Sequence, residues 1–294
     1  MISLVLTRFY KKMASVIPAV TKISSRVTRV LGCNPSLMTL QGTNTYIVGT
    51  GKRRILIDTG DSDVPQYINH LRSVLKYENI DLAHIFLTHW HHDHVGGLND
   101  IMEDLPEFTE NCEVWKFPCK EDNNVYNAFK DNQEFSVEGA TLRVLHTPGH
   151  TTDHVVLHLL EDNALFSGDC ILGEGTAVFE DLFDYMESLR TILNAKPAVI
   201  YPGHGNIINN ASEKIQFYLN HRLEREQQIM DILSNNCQRT FTGNDLVEMI
   251  YIGLPKQLFK AAECNVNHHL QKLLKEDKVV QVNGMWQFKE ELIC

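Results

Sequence analysis

Thr88-His89-Trp90-His91-His92-Asp93-His94 follows directly on the short apolar run AHIFLT (83–88) and leads into HVGGLNDIMEDL (94–105). The apolar run predicts a strand, and the spacing of apolar residues after the glycines predicts a helix. A turn between the two aims several side chains into one space. His89 and His91, separated by one residue, can share a metal ion, and Asp93 and His94 can serve a second. Imidazole nitrogen and carboxylate oxygen suit Zn²⁺, and also Mn²⁺ or Fe²⁺.

Three further residues join this cluster by their setting. His150 ends TLRVLHTPGH (141–150), Asp169 ends NALFSGD (163–169), and His204 lies in VIYPGHG (199–205). Each follows an apolar strand, so all seven candidates gather at one edge of the sheets. Singly each reads as a turn residue, because Pro-Gly and Ser-Gly-Asp are turn chemistry; their joint occurrence favours metal binding. One Zn²⁺ takes three protein ligands and a water. Seven donors therefore argue for two ions: His89, His91 and His150 at one, Asp93, His94 and His204 at the other, with Asp169 as a bridge. Two metals about 3.5–4 Å apart hold a shared hydroxide and clamp the attacking and leaving oxygens. They also bring the pKa of the water toward 7, which supplies a nucleophile without a basic side chain. Asp93 is then the catalytic candidate, binding metal and orienting that hydroxide.

The composition frames this site. In 294 residues, 43% are hydrophobic and 22% charged, which fits a soluble globular chain and excludes a disordered or collagen-like one. No run of eighteen apolar residues occurs, so no membrane span is expected. Seven Cys, at 33, 112, 119, 170, 237, 264 and 294, form no CxxC and read as thiols in a reducing compartment. The net charge of −10 is uneven. Residues 1–57 hold nine basic residues and no acid, while 58–211 hold 8 basic and 26 acidic. That acidic middle is not a surface made for nucleic acid, and bound divalent cations would offset part of it. The first 22 residues have the composition of a mitochondrial transit peptide, which places the chain in the matrix. The alternative is an ordinary basic arm, or a start at Met13, on a cytoplasmic protein.

The remaining chain reads as strands at RVTRVLG (26–32) and in NTYIVGTGKRRILIDTG (44–60), a hairpin across Thr-Gly-Lys. A helix is expected over 64–76. Residues 106–138 are the least regular, with a short strand near Val114. Strands follow at 141–147, 155–160 and 163–169, then a helix over 179–193 and a strand with a turn at 197–205. Strands mixed with helices suggest stacked sheets covered by helices. From Ala211 a long amphipathic helix, two shorter helices (242–252 and 258–276) and the hairpin VVQV-NG-MWQF (279–288) outline a winged-helix module. The expected division is an extension (1–22), a catalytic domain (23–210) and a winged-helix-like domain (211–294).

The order HxHxDH, His, Asp, His resembles that of the metallo-β-lactamase superfamily over about residues 24–210. The resemblance implies an α+β fold, a four-layer αββα sandwich with its metal site at one edge. An acid at Asp169 is typical of the dinuclear branches, such as hydroxyacylglutathione hydrolase and the tRNA 3′-processing nuclease. GCNPSLMTLQGTNTYIVGTG (32–51), RRILIDTG (53–60), THWHHDHVGG (88–97), TPGHTTDH (147–154), FSGDCILGEGT (166–176) and YPGHG (201–205) resemble the β-lactamase-like protein 2 family. The C-terminal helices and hairpin resemble its associated winged-helix domain. The family is described as mitochondrial endoribonucleases of single-stranded RNA. The implied cofactor is Zn²⁺, two per chain. All seven ligands transfer, while His92 stands where related sequences can carry Arg. Asp58, in Leu-Ile-Asp-Thr-Gly, resembles the family's second-layer acid that braces the ligands, or is a turn residue.

Other features take plainer readings. Cys170 is a buried thiol, GEGT (173–176) a turn, and His268-His269 half surface and half core. His154 and Tyr201, near ligands in sequence, read as structural in preference to the acid that protonates the leaving oxygen, and Trp286 either packs on the module's helices or stacks a base. Lys256, Lys260, Lys272, Lys275 and Lys278 form a modest basic face or a solvated helix. The first function is a dinuclear endoribonuclease with weak, salt-dependent RNA binding. The second is a thioester hydrolase like hydroxyacylglutathione hydrolase. The third is a winged-helix binding protein on a decayed core, which seven intact ligands oppose. The winged helix would also suit a homo-oligomer.

Overall fold

The computed structural model describes residues 16–120 and 126–289. The first fifteen residues of the expected transit segment lie outside the described residues. Seven strands form one sheet in sequence order: β1 (Val20–Lys22), β2 (Val27–Leu31), β3 (Asn44–Val48), β4 (Arg53–Ile57), β5 (Asp81–Leu87), β6 (Glu113–Lys116) and β7 (Asn127–Ala128). It is antiparallel from β1 to β4 and parallel from β4 to β7. A second sheet has the order β12-β11-β10-β9-β8, with β8 (Glu134–Val137), β9 (Ala140–His146), β10 (Val155–Leu159), β11 (Ala164–Gly168) and β12 (Val199–Pro202). Only β11 and β12 run parallel in it.

Strand residues alternate between two cores because successive side chains point to opposite faces. Tyr46, Ile55, Ile57 and Phe86 meet Leu142, Val144, Leu157 and Phe166 between the sheets. Ile47, Leu56 and Leu82 point outward, under Leu71 and Leu75 of the helix Pro65–Glu78. Val156, Leu165 and Ile200 are covered by Tyr185 and Leu189 of the helix Leu182–Ala195 and by Ile215 and Tyr218 of the helix Ala211–Ser234. That is the expected four-layer order of helix, sheet, sheet and helix. Each fully buried Leu, Ile or Phe contributes about 1.5–3 kcal/mol, so the double-faced burial supplies the driving force.

The C-terminal module has its own core, in which Ile229 and Leu233 pack with Leu246, Val266, Leu270, Leu273, Val279 and Trp286. Its second helix, Gly243–Ile250, starts on a capping box between Thr242 and Asp245. The wing pairs β13 (Val279–Val282) with β14 (Met285–Phe288) across Asn283-Gly284, both at positive φ, as a tight hairpin turn requires.

Four expectations need correction. Val20–Lys22 was expected in the N-terminal extension but pairs with β2 in the sheet, and Ile17 before it is buried. Residues 106–138 hold the expected short strand near Val114, as β6, but also β7 and β8, of two and four residues, which leave too little alternation to recognise. The boundary at Ala211 cuts the wrong place, because the helix from Ala211 starts in the sandwich core and ends in the winged-helix core. The basic face is largely neutralised, with Lys260 left exposed. Lys272 is buried against Glu226 and Glu276, Lys275 pairs with Asp181, and Lys278 pairs with Glu276. The side chain of Lys256 lies outside the described residues. Among the described residues, no helix is long and apolar enough to cross a membrane.

Candidate metal centre

Four connections at one edge of the sandwich bring the polar residues together. His89 and His91 lie on the turn after β5. Asp93 and His94 lie in the single-turn helix His92–Val95, not in one helix over 94–105; the next helix begins at Leu98. His150 sits between β9 and β10, Asp169 directly after β11, and His204 directly after β12. The Pro-Gly-His turn at 202–204 requires its glycine. A Cβ on Gly203 would stand 2.7 Å from Asp169 Oδ1 and 2.9 Å from His94 Cε1. Gly149, at φ +127°, lies so close to the helix Leu182–Ala195 that a Cβ would stand 2.3 Å from the Tyr185 nitrogen.

The seven expected ligand residues all face one space, in two groups. His89, His91, His150 and Asp169 form one, and Asp93, His94 and His204 form the other; within each, donor atoms lie within 4.8 Å of one another. In the first group, His91 Nδ1 is 3.0 Å from His89 Nε2 and 3.1 Å from His150 Nε2. In the second, His204 Nε2 is 3.2 Å from His94 Nε2 and 3.1 Å from Asp93 Oδ2.

Four of the five histidines have their inner nitrogen oriented by what the ring's other nitrogen touches. His94 Nδ1 donates to Asp58 Oδ2 at 2.7 Å, and His150 Nδ1 donates to the Val178 carbonyl at 2.8 Å. His89 Nδ1 lies 3.0 Å from Thr88 Oγ1, and His204 Nδ1 3.4 Å from the Gly42 carbonyl. Asp58 also accepts the Thr88 N–H at 2.8 Å and the Thr88 hydroxyl at 3.0 Å. That is a bracing position behind the ligands, not a free turn. Such partners fix tautomer and ring angle in metal sites.

The electrostatics are those of a cation site. Burial, together with His94 and His150, holds the His89 pKa well below its usual range. Burial also opposes charge on His204, but Asp169 and Asp93 outweigh it and raise its pKa to about 9. Burial acts to raise the pKa of Asp93, yet His94 and His204 lower it to about 2. Asp169 is held well below the usual carboxylate range by the same two histidines against its burial. Asp169 Oδ1 is buried, facing the Nε2 atoms of His94 and His204 at 3.4 and 3.3 Å. A buried ionised oxygen and three converging imidazole nitrogens are costly unless a shared cation satisfies them. The donors therefore fit a metal ion.

The side chain of His92 is 70% exposed and points away, toward Ser62 Oγ. Cys170 is fully buried, and burial pushes its thiol pKa up. His269 is buried and His268 partly exposed. Glu174 of the GEGT turn accepts the Asn206 N–H. Tyr201 packs between the sheets, and Trp286 packs in the winged-helix core at 4% exposure. His154 is structural but adjoins the site: its Nε2 accepts the Asp169 N–H at 3.1 Å, and its Nδ1 lies 3.0 Å from Thr147 Oγ1. Sequence reading missed Thr43, whose hydroxyl is 3.4 Å from Asp93 Oδ2, and the Val178 carbonyl. Neither carries a signal in the sequence, since a backbone carbonyl has none.

Residues 38–204 match the metallo-beta-lactamase superfamily. The chain belongs to that superfamily. Residues 242–286 match the beta-lactamase associated winged helix domain. The Beta-lactamase-like protein 2 homolog of Drosophila melanogaster is 54% identical, over 90% of this chain and 93% of that one. The Caenorhabditis elegans protein of the same name is 45% identical, over 88% of each. An atrochrysone carboxyl ACP thioesterase of Passalora fulva is 39% identical, over 90% of this chain and 80% of its own. Among solved structures, a beta-lactamase domain protein from Burkholderia ambifaria superposes with a TM-score of 0.76 at 17% identity, covering 94% of this chain and 96% of that one. That likeness speaks for the fold alone. Metallo-β-lactamase superfamily members are generally metal-dependent hydrolases, and the His/Asp cluster gives this chain the donors for such chemistry.

Proposed function

We propose that the chain is a zinc-dependent endoribonuclease that cuts single-stranded RNA, with two Zn²⁺ per chain. The carboxylate of Asp169 carries the reading. Its Oδ1 lies 3.4 Å from His94 Nε2 and 3.3 Å from His204 Nε2, while its Oδ2 lies 3.7 Å from His150 Nε2. One acid facing both donor groups supports two ions side by side. Such a pair, when bound, neutralises the phosphate oxygens of an in-line displacement and acidifies a water at neutral pH.

The chain's own residues supply the rest. Asp93, held ionised, orients the attacking water through Oδ2, beside His204 and the Thr43 hydroxyl. Asp58 keeps the His94 proton on Nδ1 and leaves Nε2 free. RNA as substrate rests on the sequence resemblance to the β-lactamase-like protein 2 family, the name two relatives carry, and on a winged-helix module that suits nucleic acid. A net charge of −10 makes the binding weak and strongly salt-dependent. The basic N-terminal composition favours the mitochondrial matrix, and the winged helix offers a face for self-association. Thioester hydrolysis is the second reading, favoured by the relative named as an acyl carrier protein thioesterase.

The test is one panel on zinc-loaded protein: end-labelled single-stranded RNA, duplex RNA, single-stranded DNA and a glutathione thioester, each beside Asp93→Ala. Internal RNA cuts that vanish in Asp93→Ala are expected. Thioester turnover with intact RNA would replace the nuclease reading by the second one.

A further inference from the structure

The segment Ala177–Asp181, ahead of the helix Leu182–Ala195, lies between the metal centre and the C-terminal helices. On one side it orients a ligand. The Val178 carbonyl accepts the His150 Nδ1–H at 2.8 Å, and the Glu180 and Asp181 N–H groups donate to the Gly149 carbonyl at 2.7 and 3.1 Å. On the other side the C-terminal helices grip it. Arg222 donates to the Ala177 carbonyl at 3.1 Å, and its guanidinium lies 4.7 Å from the centre of the Phe179 ring. His268 meets the same ring edge-on at 5.2 Å, and Lys275 pairs with Asp181 at 2.5 Å.

Arg222 is the unusual member. It is 5% exposed, yet among the described residues no carboxylate pairs with it. A buried cation without a counter-ion is unfavourable, and a surface-compatible apolar residue would pack there at less cost. What the guanidinium does in return is fix the Ala177 carbonyl and the Phe179 ring on either side of Val178. We propose that Arg222 is a positioning residue for the metal centre, acting through the Ala177–Phe179 segment on the orientation of His150. The helix shared by the two cores would thereby tune one of the two metal sites while leaving the other untouched. This inference rests on the metal-centre reading above.

The test compares metal-free wild type, Arg222→Met and, as a control on the same helix away from the segment, Arg225→Ala. Zn²⁺ affinity is read by competition with a chromophoric chelator, and the ligand field by the visible spectrum of the Co²⁺ form. Wild type and Arg225→Ala are expected to bind two ions alike. Arg222→Met should keep one site unchanged, weaken the other by about tenfold, the lower end of the usual loss for outer partners of a ligand, and shift the Co²⁺ bands. Wild-type affinity at both sites in Arg222→Met overturns the inference, and so does an equal loss at both. If Arg222→Met does not fold, Phe179→Leu decides by the same criterion, since it removes the ring that Arg222 and His268 grip. A wild type that binds no metal overturns the metal-centre reading and this inference with it.

Discussion

Asp58→Asn is the sharpest probe of how the sandwich serves its metal centre. The side chain accepts three hydrogen bonds, from the Thr88 N–H, the Thr88 hydroxyl and His94 Nδ1. An amide of the same shape has one acceptor oxygen and one NH₂. With the oxygen kept on the Thr88 N–H, the NH₂ faces the His94 N–H, donor against donor. The charge-assisted bond to His94, about 1.5–3 kcal/mol, is lost. His94 can relieve the clash only by moving its proton to Nε2, the atom that faces Asp93 and Asp169 at 3.4 Å each. A protonated Nε2 cannot bind a metal. Zn²⁺ affinity at the Asp93, His94 and His204 group should therefore fall about 10–100-fold, with the other group spared. In free energy that is about 1.4–2.7 kcal/mol. Chelator competition measures it, with circular dichroism as the check on folding. Unchanged affinity at both sites in a folded Asp58→Asn would refute the bracing argument.

Two further predictions concern the scaffold. Lys116 and Asp153 form an ion pair at 2.6 Å with 2% and 0% side-chain exposure, so Lys116→Met leaves a buried carboxylate and should cost about 3–5 kcal/mol in urea unfolding. Adding Asp153→Leu should restore most of it, and additive losses would sink the pairing. His269 is held neutral: burial, then Arg222 and Lys272, lower its pKa to about 3. Its contribution is therefore intact above the unfolded value near 6.5 and is lost as pH falls toward about 3, at up to about 1.4 kcal/mol per pH unit. His269→Leu should flatten the acid slope of urea-derived stability in that window, and an unchanged slope would contradict the assignment.

The seven ligand positions were legible because each is a polar residue at the end of an apolar strand, and the two-group division followed from donor counting. Asp58 was legible only by resemblance, since its partner Thr88 lies thirty residues away and pairs through the β4–β5 ladder. What escaped was held by backbone or by very short elements. The Val178 carbonyl leaves no trace in residue identity. The strands β7 and β8 are shorter than a reliable alternation. The basic face was lost for a different reason: helical spacing gave its lysines a common side, but tertiary folding placed Glu226 and Asp181 against it, and Glu276 pairs with Lys272 one turn along the same helix. Charge on a helix is read from sequence without its partners.

The helix Ala211–Ser234 contributes Ile215 and Tyr218 to one core and Ile229 and Leu233 to another. It is a beam embedded in both walls. Neither module can melt without stripping half of it, so heat or urea should produce one transition for the whole chain. Cutting at residue 211 to isolate a minimal enzyme would unroof the second sheet. A usable truncation keeps the beam to Ser234, and even then leaves Ile229 and Leu233 facing water, with aggregation as the consequence.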